Sequence, residues 1–362
     1  MDDKIALTYD DVALIPQYSE IESRSHCDIS VELKTPKKTE KLRIPLIGAP
    51  MDTICEAEMC IALWEEGAIG ILHRYITIDE QVEMLQRVVA DDATCFAAIG
   101  VTGDYLDRAT VLYNNGARHF CIDVAHGSHI FVKKAITALR HSYKNIHIMA
   151  GNVCDYDGAF RCFKWGADSI RVGVGGGAVC TTRLVTGHGV PNLTAIELAR
   201  KAKEDYQELE NRDCYIVADG GIRTSGDAAK AFAFGADYVM VGSMLSGCEE
   251  TPSVVQYRGF LDQLDASTVE QQPQKQVVYR GMASQPAQNA NGRVSVVEGV
   301  EVKVDMKGPV TGVLLTFRDG LRSALSYTGA TNLSDFKKTA RYIRVSPAAQ
   351  IESQPHAKFD NQ

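Results

Sequence analysis

The chain has 362 residues, 45% of them hydrophobic, and a formal net charge of −8. That length and apolar content can bury a large core, and an acidic balance without long basic runs lacks the electrostatic footprint of a nucleic-acid binder. No apolar run reaches the roughly 18 residues of a membrane helix, and the start has no secretory pattern, so a cytoplasmic protein with no membrane or nucleic-acid partner is expected.

Eight short apolar segments read as buried strands, at 44–49, 69–72, 96–101, 119–124, 146–150, 169–174, 215–218 and 238–241. Helical patterns lie between them, at 78–89, 105–114, 129–142, 156–165, 193–209 and 225–234. A Gly-Ala pair followed by an apolar strand recurs at Gly67, Gly116, Gly166 and Gly235. Two copies are nearly identical, Gly166-Ala-Asp-Ser-Ile-Arg-Val-Gly173 and Gly235-Ala-Asp-Tyr-Val-Met-Val-Gly242. A glycine that ends a helix, then a buried strand, is the αβ junction of a parallel sheet. Eight alternating units predict a (β/α)8 TIM barrel, with a doubly wound open sheet as the alternative.

In such a barrel the chemistry sits just after the strand C-termini. That rule selects Met51 and Asp52, His73 and Arg74, Asp123 and His126, Asn152, Asp219 with Gly220 and Gly221, and Gly242 with Ser243. The sixth strand runs into Gly173-Val-Gly-Gly-Gly-Ala-Val-Cys180-Thr-Thr182-Arg183. Its glycines let backbone N–H groups approach an anion, and the loop ends on a sulfur nucleophile. The pattern points to covalent chemistry on a phosphorylated small molecule. The other nine cysteines lie mostly in apolar runs with no Cys-x-x-Cys, as expected of reduced, buried thiols. His126 and His129 could pair on a metal, but no further ligand pattern supports them.

Beyond the eighth strand the period breaks. The polar stretch 285–292 precedes a β-like run at 293–304, and is expected to be a mobile flap over the catalytic face, about 283–297. A polar tail covers about 346–362. The expected organisation is one catalytic domain over 1–362.

Ordered motifs along nearly the whole chain resemble the inosine monophosphate dehydrogenase and guanosine monophosphate reductase superfamily. They include Leu7-Thr-Tyr-Asp-Asp-Val12, Ala49-Pro-Met-Asp-Thr53, Ile122-Asp-Val-Ala-His-Gly127, Ala150-Gly-Asn152, the cysteine loop, Ala218-Asp-Gly-Gly221, Val241-Gly-Ser-Met244, Tyr279-Arg-Gly-Met282 and Lys307-Gly-Pro309. The resemblance implies a (β/α)8 barrel holding a purine nucleoside monophosphate, with Cys180 attacking C2 of the purine. It assigns the ribose to Asp219, and the phosphate to Gly221, Gly242, Ser243 and Tyr279. Met51, Gly281 and Met282 are assigned to the base. Gly177 and Gly220 belong to the substrate loops, and Arg171 supports the site. Asp123, Asn152 and Gly173 fall on the nicotinamide side.

The family's two activities differ after the shared adduct. The dehydrogenase hydrolyses it with an Arg-Tyr pair on a long flap. The reductase relies on a threonine two residues past the cysteine and a glutamate after the flap. Here only fifteen residues separate Met282 from Glu298, without an Arg-Tyr pair, and Thr182 and Glu298 occupy the reductase positions. The resemblance therefore favours GMP reduction with NADPH. IMP oxidation with NAD, using Arg293 or another basic group on the adduct, is the alternative, as is a nucleotide-binding protein without turnover. Tyr279-Arg-Gly-Met282, Ala125-His-Gly127 and the segment Glu352-Ser-Gln-Pro-His356 are dehydrogenase-like. The last implies a potassium site made with Gly175, Gly177, Cys180 and Glu352, completed across a homotetramer interface. The regulatory CBS domain pair of many dehydrogenases is not found between strands 2 and 3. Arg74 replaces a lysine of the reductases, Ala49 and Ala178 replace phosphate-binding serines, and Gly176 replaces a proline. Those changes leave a deoxyribonucleotide or a modified purine open as substrate.

Overall fold

A computed structural model describes residues 5–261, 276–290 and 296–354. Arg293, His356 and parts of the expected flap and tail lie outside them.

Eight parallel strands form one sheet: β1 (Leu46–Gly48), β2 (Gly70–Leu72), β3 (Cys95–Ile99), β4 (His119–Asp123), β5 (His147–Val153), β6 (Ser169–Val172), β7 (Tyr215–Asp219) and β8 (Tyr238–Val241). Each pairs with its neighbour in sequence, and β8 pairs with β1. The sheet closes through a parallel bridge between Ile47 and Ile69, with Gly48 N–H donating to Ile69 O at 2.9 Å. Closure excludes the open-sheet alternative, because an open sheet would leave β1 and β2 as unpaired edges.

The barrel helices are α1 (Ala57–Glu65), α2 (Ile78–Ala90), α3 (Tyr105–Asn114), α4 (Ile130–Ser142), α5 (Tyr156–Trp165), α7 (Asn192–Glu210) and α8 (Ser225–Phe234). A five-residue turn of helix, α6 (Thr182–Thr186), follows the cysteine loop. His129, read as helical, is instead the N-cap of α4, its ring Nδ1 accepting the Phe131 N–H at 3.2 Å.

The two near-identical sequence copies perform one structural task twice. Gly166 and Gly235 end α5 and α8 in the left-handed conformation, at φ of 113° and 117°. Two residues on, Asp168 accepts the Ile148 N–H and Asp237 the Ile216 N–H, each at 2.7 Å. Asp168 also pairs with Arg140 and Arg212, and Asp237 with Lys203 and Lys337. Burial would raise both carboxyls, but the cations beside them outweigh it and hold them below the usual range. The repeated motif is thus a staple at the N-terminal rim of the sheet.

The barrel interior is filled by Ile47, Ile71, Phe96, Ala98, Cys121, Met149, Val217, Tyr238 and Met240. A hairpin of Val31–Lys34 and Thr39–Leu42 plugs the N-terminal end with Leu33 and Leu42. His147 Nδ1 meets Lys34 O at 2.8 Å there. With that end sealed, the opposite end is left for the site.

After β8 come α9 (Pro252–Leu261), β9 (Gln276–Arg280), α10 (Gln285–Ala290), β10 (Glu301–Asp305), α11 (Val310–Ser326), α12 (Leu333–Thr339) and α13 (Pro347–Glu352). Strands β9 and β10 form an antiparallel ribbon. The polar stretch read as a loop contains α10, since Ala287 and Gln288 are buried beneath it. All ten cysteines are free thiols, and eight are buried. Among the described residues no helix is long and apolar enough to cross a membrane.

Candidate active site

The C-terminal ends of the strands enclose a cavity of about 380 Å³. Of the residues expected from sequence, it brings together Met51, Asp123, Asn152, Arg171, Gly173, Gly175, Gly177, Cys180, Thr182, Asp219, Gly220, Gly221, Gly242, Ser243, Tyr279, Gly281, Met282 and Glu298. Glu352 is not brought in. It lies on the exposed α13, where the neighbouring Gln350 donates to Asp10 O at 3.0 Å. The four residues expected to bind potassium therefore do not assemble within one chain.

The cysteine loop owes its course to close backbone contacts. Gly173 has φ of 144°, and a Cβ there would lie 2.0 Å from Asp219 O, so only glycine lets the end of β6 pass the end of β7. Arg183 reaches back beneath the loop, donating to Val174 O at 3.0 Å and Val190 O at 2.7 Å. Asn192 accepts from Arg183 and donates to Gly220 O, so one arginine–asparagine pair braces the loops after β6 and β7 together. The sequence offered no signal for Asn192, and Arg183 only through its place in the loop.

Cys180 is half-buried and points at a polar pair. Its Sγ is 3.2 Å from Thr182 Oγ1, which donates to Glu298 Oε2 at 2.7 Å. A hydroxyl has one hydrogen, and Thr182 spends it on Glu298, so the thiol is the donor in the sulfur contact. Thr182 and Glu298, 116 positions apart, are brought together by backbone pairing: Thr181 N–H donates to Glu298 O at 2.9 Å, and Val300 N–H to Val179 O at 3.0 Å. Away from the cavity loop, burial pushes the Cys121 and Cys162 thiols up to about 12.

Beneath the cavity runs a chain of buried charges. Arg171 Nη1 meets Asp123 Oδ1 at 2.6 Å and its Nη2 meets Asp219 Oδ2 at 2.9 Å. Asn152 donates to the same Asp219 oxygen and to Gly173 O, both at 2.8 Å. Arg74 lies 3.4 Å from Asp123, and the Tyr75 hydroxyl donates to it at 3.3 Å. Burial would raise the Asp123 carboxyl, but Arg171 and Arg74 outweigh it and hold it below its usual value. Arg171 thus braces two carboxylates, and its guanidinium is spent on them. Tyr279, on the far wall, is pushed up to about 12 by burial and by the charge of Asp219, so its hydroxyl keeps its proton and can donate.

The flap base is clamped at its other side. Arg280 makes a forked contact to Asp52, with Nη2 to Oδ2 at 2.6 Å and Nε to Oδ2 at 3.1 Å. The clamp holds Gly281 and Met282 over the loop after β1, where Asp52 N–H meets Met282 Sδ at 3.4 Å. Asp52 was expected at a strand end; its partner Arg280 was not foreseen, because nothing in sequence spacing links positions 228 residues apart.

A closed barrel whose mouth holds a cysteine, a hydroxyl–carboxylate pair and glycine-rich loops defines a candidate enzyme active site. The family model described as "IMP dehydrogenase / GMP reductase domain" matches residues 6–356, and the chain belongs to that family. It is 31% identical to an inosine-5'-monophosphate dehydrogenase of Borreliella burgdorferi, over 98% of each chain. Against the corresponding dehydrogenase of Nitrosopumilus maritimus it is 29% identical, over 98% of this chain and 99% of the other. A GMP reductase variant of Trypanosoma brucei, solved in complex with guanosine 5'-monophosphate, superposes with a TM-score of 0.85 at 26% identity, covering 98% of both chains. The protein is an oxidoreductase acting on purine nucleotides, in a family that uses nicotinamide dinucleotide cofactors.

Proposed function

We propose that the protein is a reductase of guanosine monophosphate or a close analogue, releasing ammonia and using NADPH. The observation that carries this reading is the Cys180–Thr182–Glu298 chain, with contacts of 3.2 and 2.7 Å. Oriented as it is, the chain can move the thiol proton to Thr182 while Thr182 passes its own to Glu298, leaving a thiolate to attack purine C2. Glu298, now protonated, returns the proton through Thr182 to the departing 2-amino group. Ammonia leaves, and the purine stays bonded to Cys180. NADPH, when bound, supplies a hydride to C2, and the thiolate leaves as the inosine product forms.

Asp123, Asn152 and Gly173 form the side of the cavity where the nicotinamide would rest, beside Arg74 and Tyr75. Arg74 and Arg171 are the basic side chains among the described residues of the cavity, and both are held by Asp123. Gly221, Gly242 and Ser243 would hold the phosphate through backbone N–H groups with Tyr279, since Ala49 and Ala178 supply no hydroxyl. One catalytic domain, a homotetramer, a cytoplasmic setting and a potassium ion shared between subunits complete the reading by family likeness.

The second reading is IMP dehydrogenase, favoured by the dehydrogenase relatives that match along their full length. Paired absorbance assays separate the two. GMP with NADPH should lose the reduced-nicotinamide band and release ammonia; IMP with NAD and potassium should be silent. A signal only in the second assay overturns the proposal. Cys180→Ala should abolish turnover while nucleotide binding survives, and retained turnover would remove the covalent mechanism.

A further inference from the structure

Helix α10 is short and polar, yet it buries a carboxamide. Gln288 is 3% exposed and lines the cavity that holds Cys180. A buried amide is costly unless its hydrogen bonds are made. Gln288 Nε2 donates to Ala283 O at 3.2 Å and to Val296 O at 3.1 Å. These two acceptors bracket Glu298. Ala283 O also receives the Glu298 N–H at 3.0 Å, and Val296 lies two residues before Glu298. Glu298 O in turn accepts from Thr181, and Gly299 bridges to both Cys180 and Ser284.

We propose that Gln288 is a positioning residue that holds Glu298 on Thr182 by tying together the two chain segments that flank it. This deepens the reductase reading and rests on it. The carboxamide touches the backbone around the glutamate and acts on Cys180 through it. Its two donors do what neither an apolar side chain nor a carboxylate of the same length can do. An apolar residue leaves Val296 O without this partner, and a carboxylate repels both carbonyls.

The test uses the full chain carrying Gln288→Met, with Gln288→Glu as the second variant, and compares each with Glu298→Gln and the double variant. A displacement of the catalytic group near 1 Å costs up to about 100-fold in rate. Gln288→Met should therefore lower kcat for GMP-dependent NADPH oxidation about 10- to 100-fold, with KM for GMP nearly unchanged. Because the residue acts through Glu298, the double variant should be no slower than Glu298→Gln alone. Multiplying losses, or a rise in KM with kcat intact, would overturn the assignment.

Amide hydrogen exchange of the unliganded protein provides a readout independent of activity. The Glu298 and Thr181 N–H groups should exchange faster in both Gln288 variants, while the β4 and β5 amides stay as in the wild type. Unchanged exchange at those two amides overturns the proposal. If the wild type itself does not consume NADPH with GMP, the GMP reductase reading has failed whatever IMP and NAD give, and the exchange result alone decides whether Gln288 positions Glu298.

Discussion

Replacing Arg171 with methionine removes a side chain that bridges Asp123 and Asp219. Arg171 is 7% exposed and contacts the two carboxylates at 2.6 and 2.9 Å. Methionine fills much of the volume but leaves two carboxylates facing each other, with Arg74 on one and Asn152 on the other. Breaking a buried ion pair from one side costs about 3–5 kcal/mol, because the remaining charge stays buried without its partner. At about 2.1 cal/mol/K per residue the unfolding entropy of 362 residues is about 0.8 kcal/mol/K, which converts that cost to a Tm loss of about 4–7 °C. The loss depends on pH in a defined direction. Without the guanidinium, burial and mutual repulsion raise a folded-state carboxyl pKa above its unfolded value near about 3.9. The folded variant then binds a proton more tightly than the unfolded chain. Its deficit is complete above the raised pKa and shrinks as pH falls toward the unfolded value. Thermal melts of both proteins at pH 7.5 and pH 5 test this. A Tm difference below about 1 °C at pH 7.5, or a larger difference at pH 5, would refute the bridging role.

Gly173→Ala should cost more than about 2 kcal/mol, since its Cβ would sit 2.0 Å from Asp219 O on backbone with φ of 144°; a melt indistinguishable from wild type would count against the close approach of β6 and β7. Acid sensitivity should trace in part to His119, which burial, helped by His147 and Lys38, pushes down to about 3. The unfolded chain takes up that proton first, so stability falls as pH drops from about 6.5, by about 1.4 kcal/mol per unit. In urea titrations, His119→Gln should lose about 2 kcal/mol less than wild type between pH 6.5 and pH 5. Equal losses in the two proteins would show that His119 titrates normally.

Local patterning by itself determined the eight strands, because strands buried on both faces must be short, apolar and evenly spaced. The Gly-Ala-Asp repeat marked two of their starts, and the aspartate proved to be the rim staple at Asp168 and Asp237. The loop glycines, Cys180 and the family motifs were legible for the same reason: glycine where backbones touch and sulfur at a strand end are local signals. The outcome differs wherever the partner is distant in sequence. Closure at Ile47 and Ile69, the Arg171 bridge between Asp123 and Asp219, the Asp52–Arg280 clamp and the burial of Gln288 emerged only from the tertiary structure. Each depends on side chains from different βα units meeting at one rim, and one-dimensional spacing carries no record of which ends meet. Thr182 and Glu298 lie between these cases. Family motifs named them, but only the pairing of residues 179–181 with 298–300 put the carboxylate 2.7 Å from the hydroxyl.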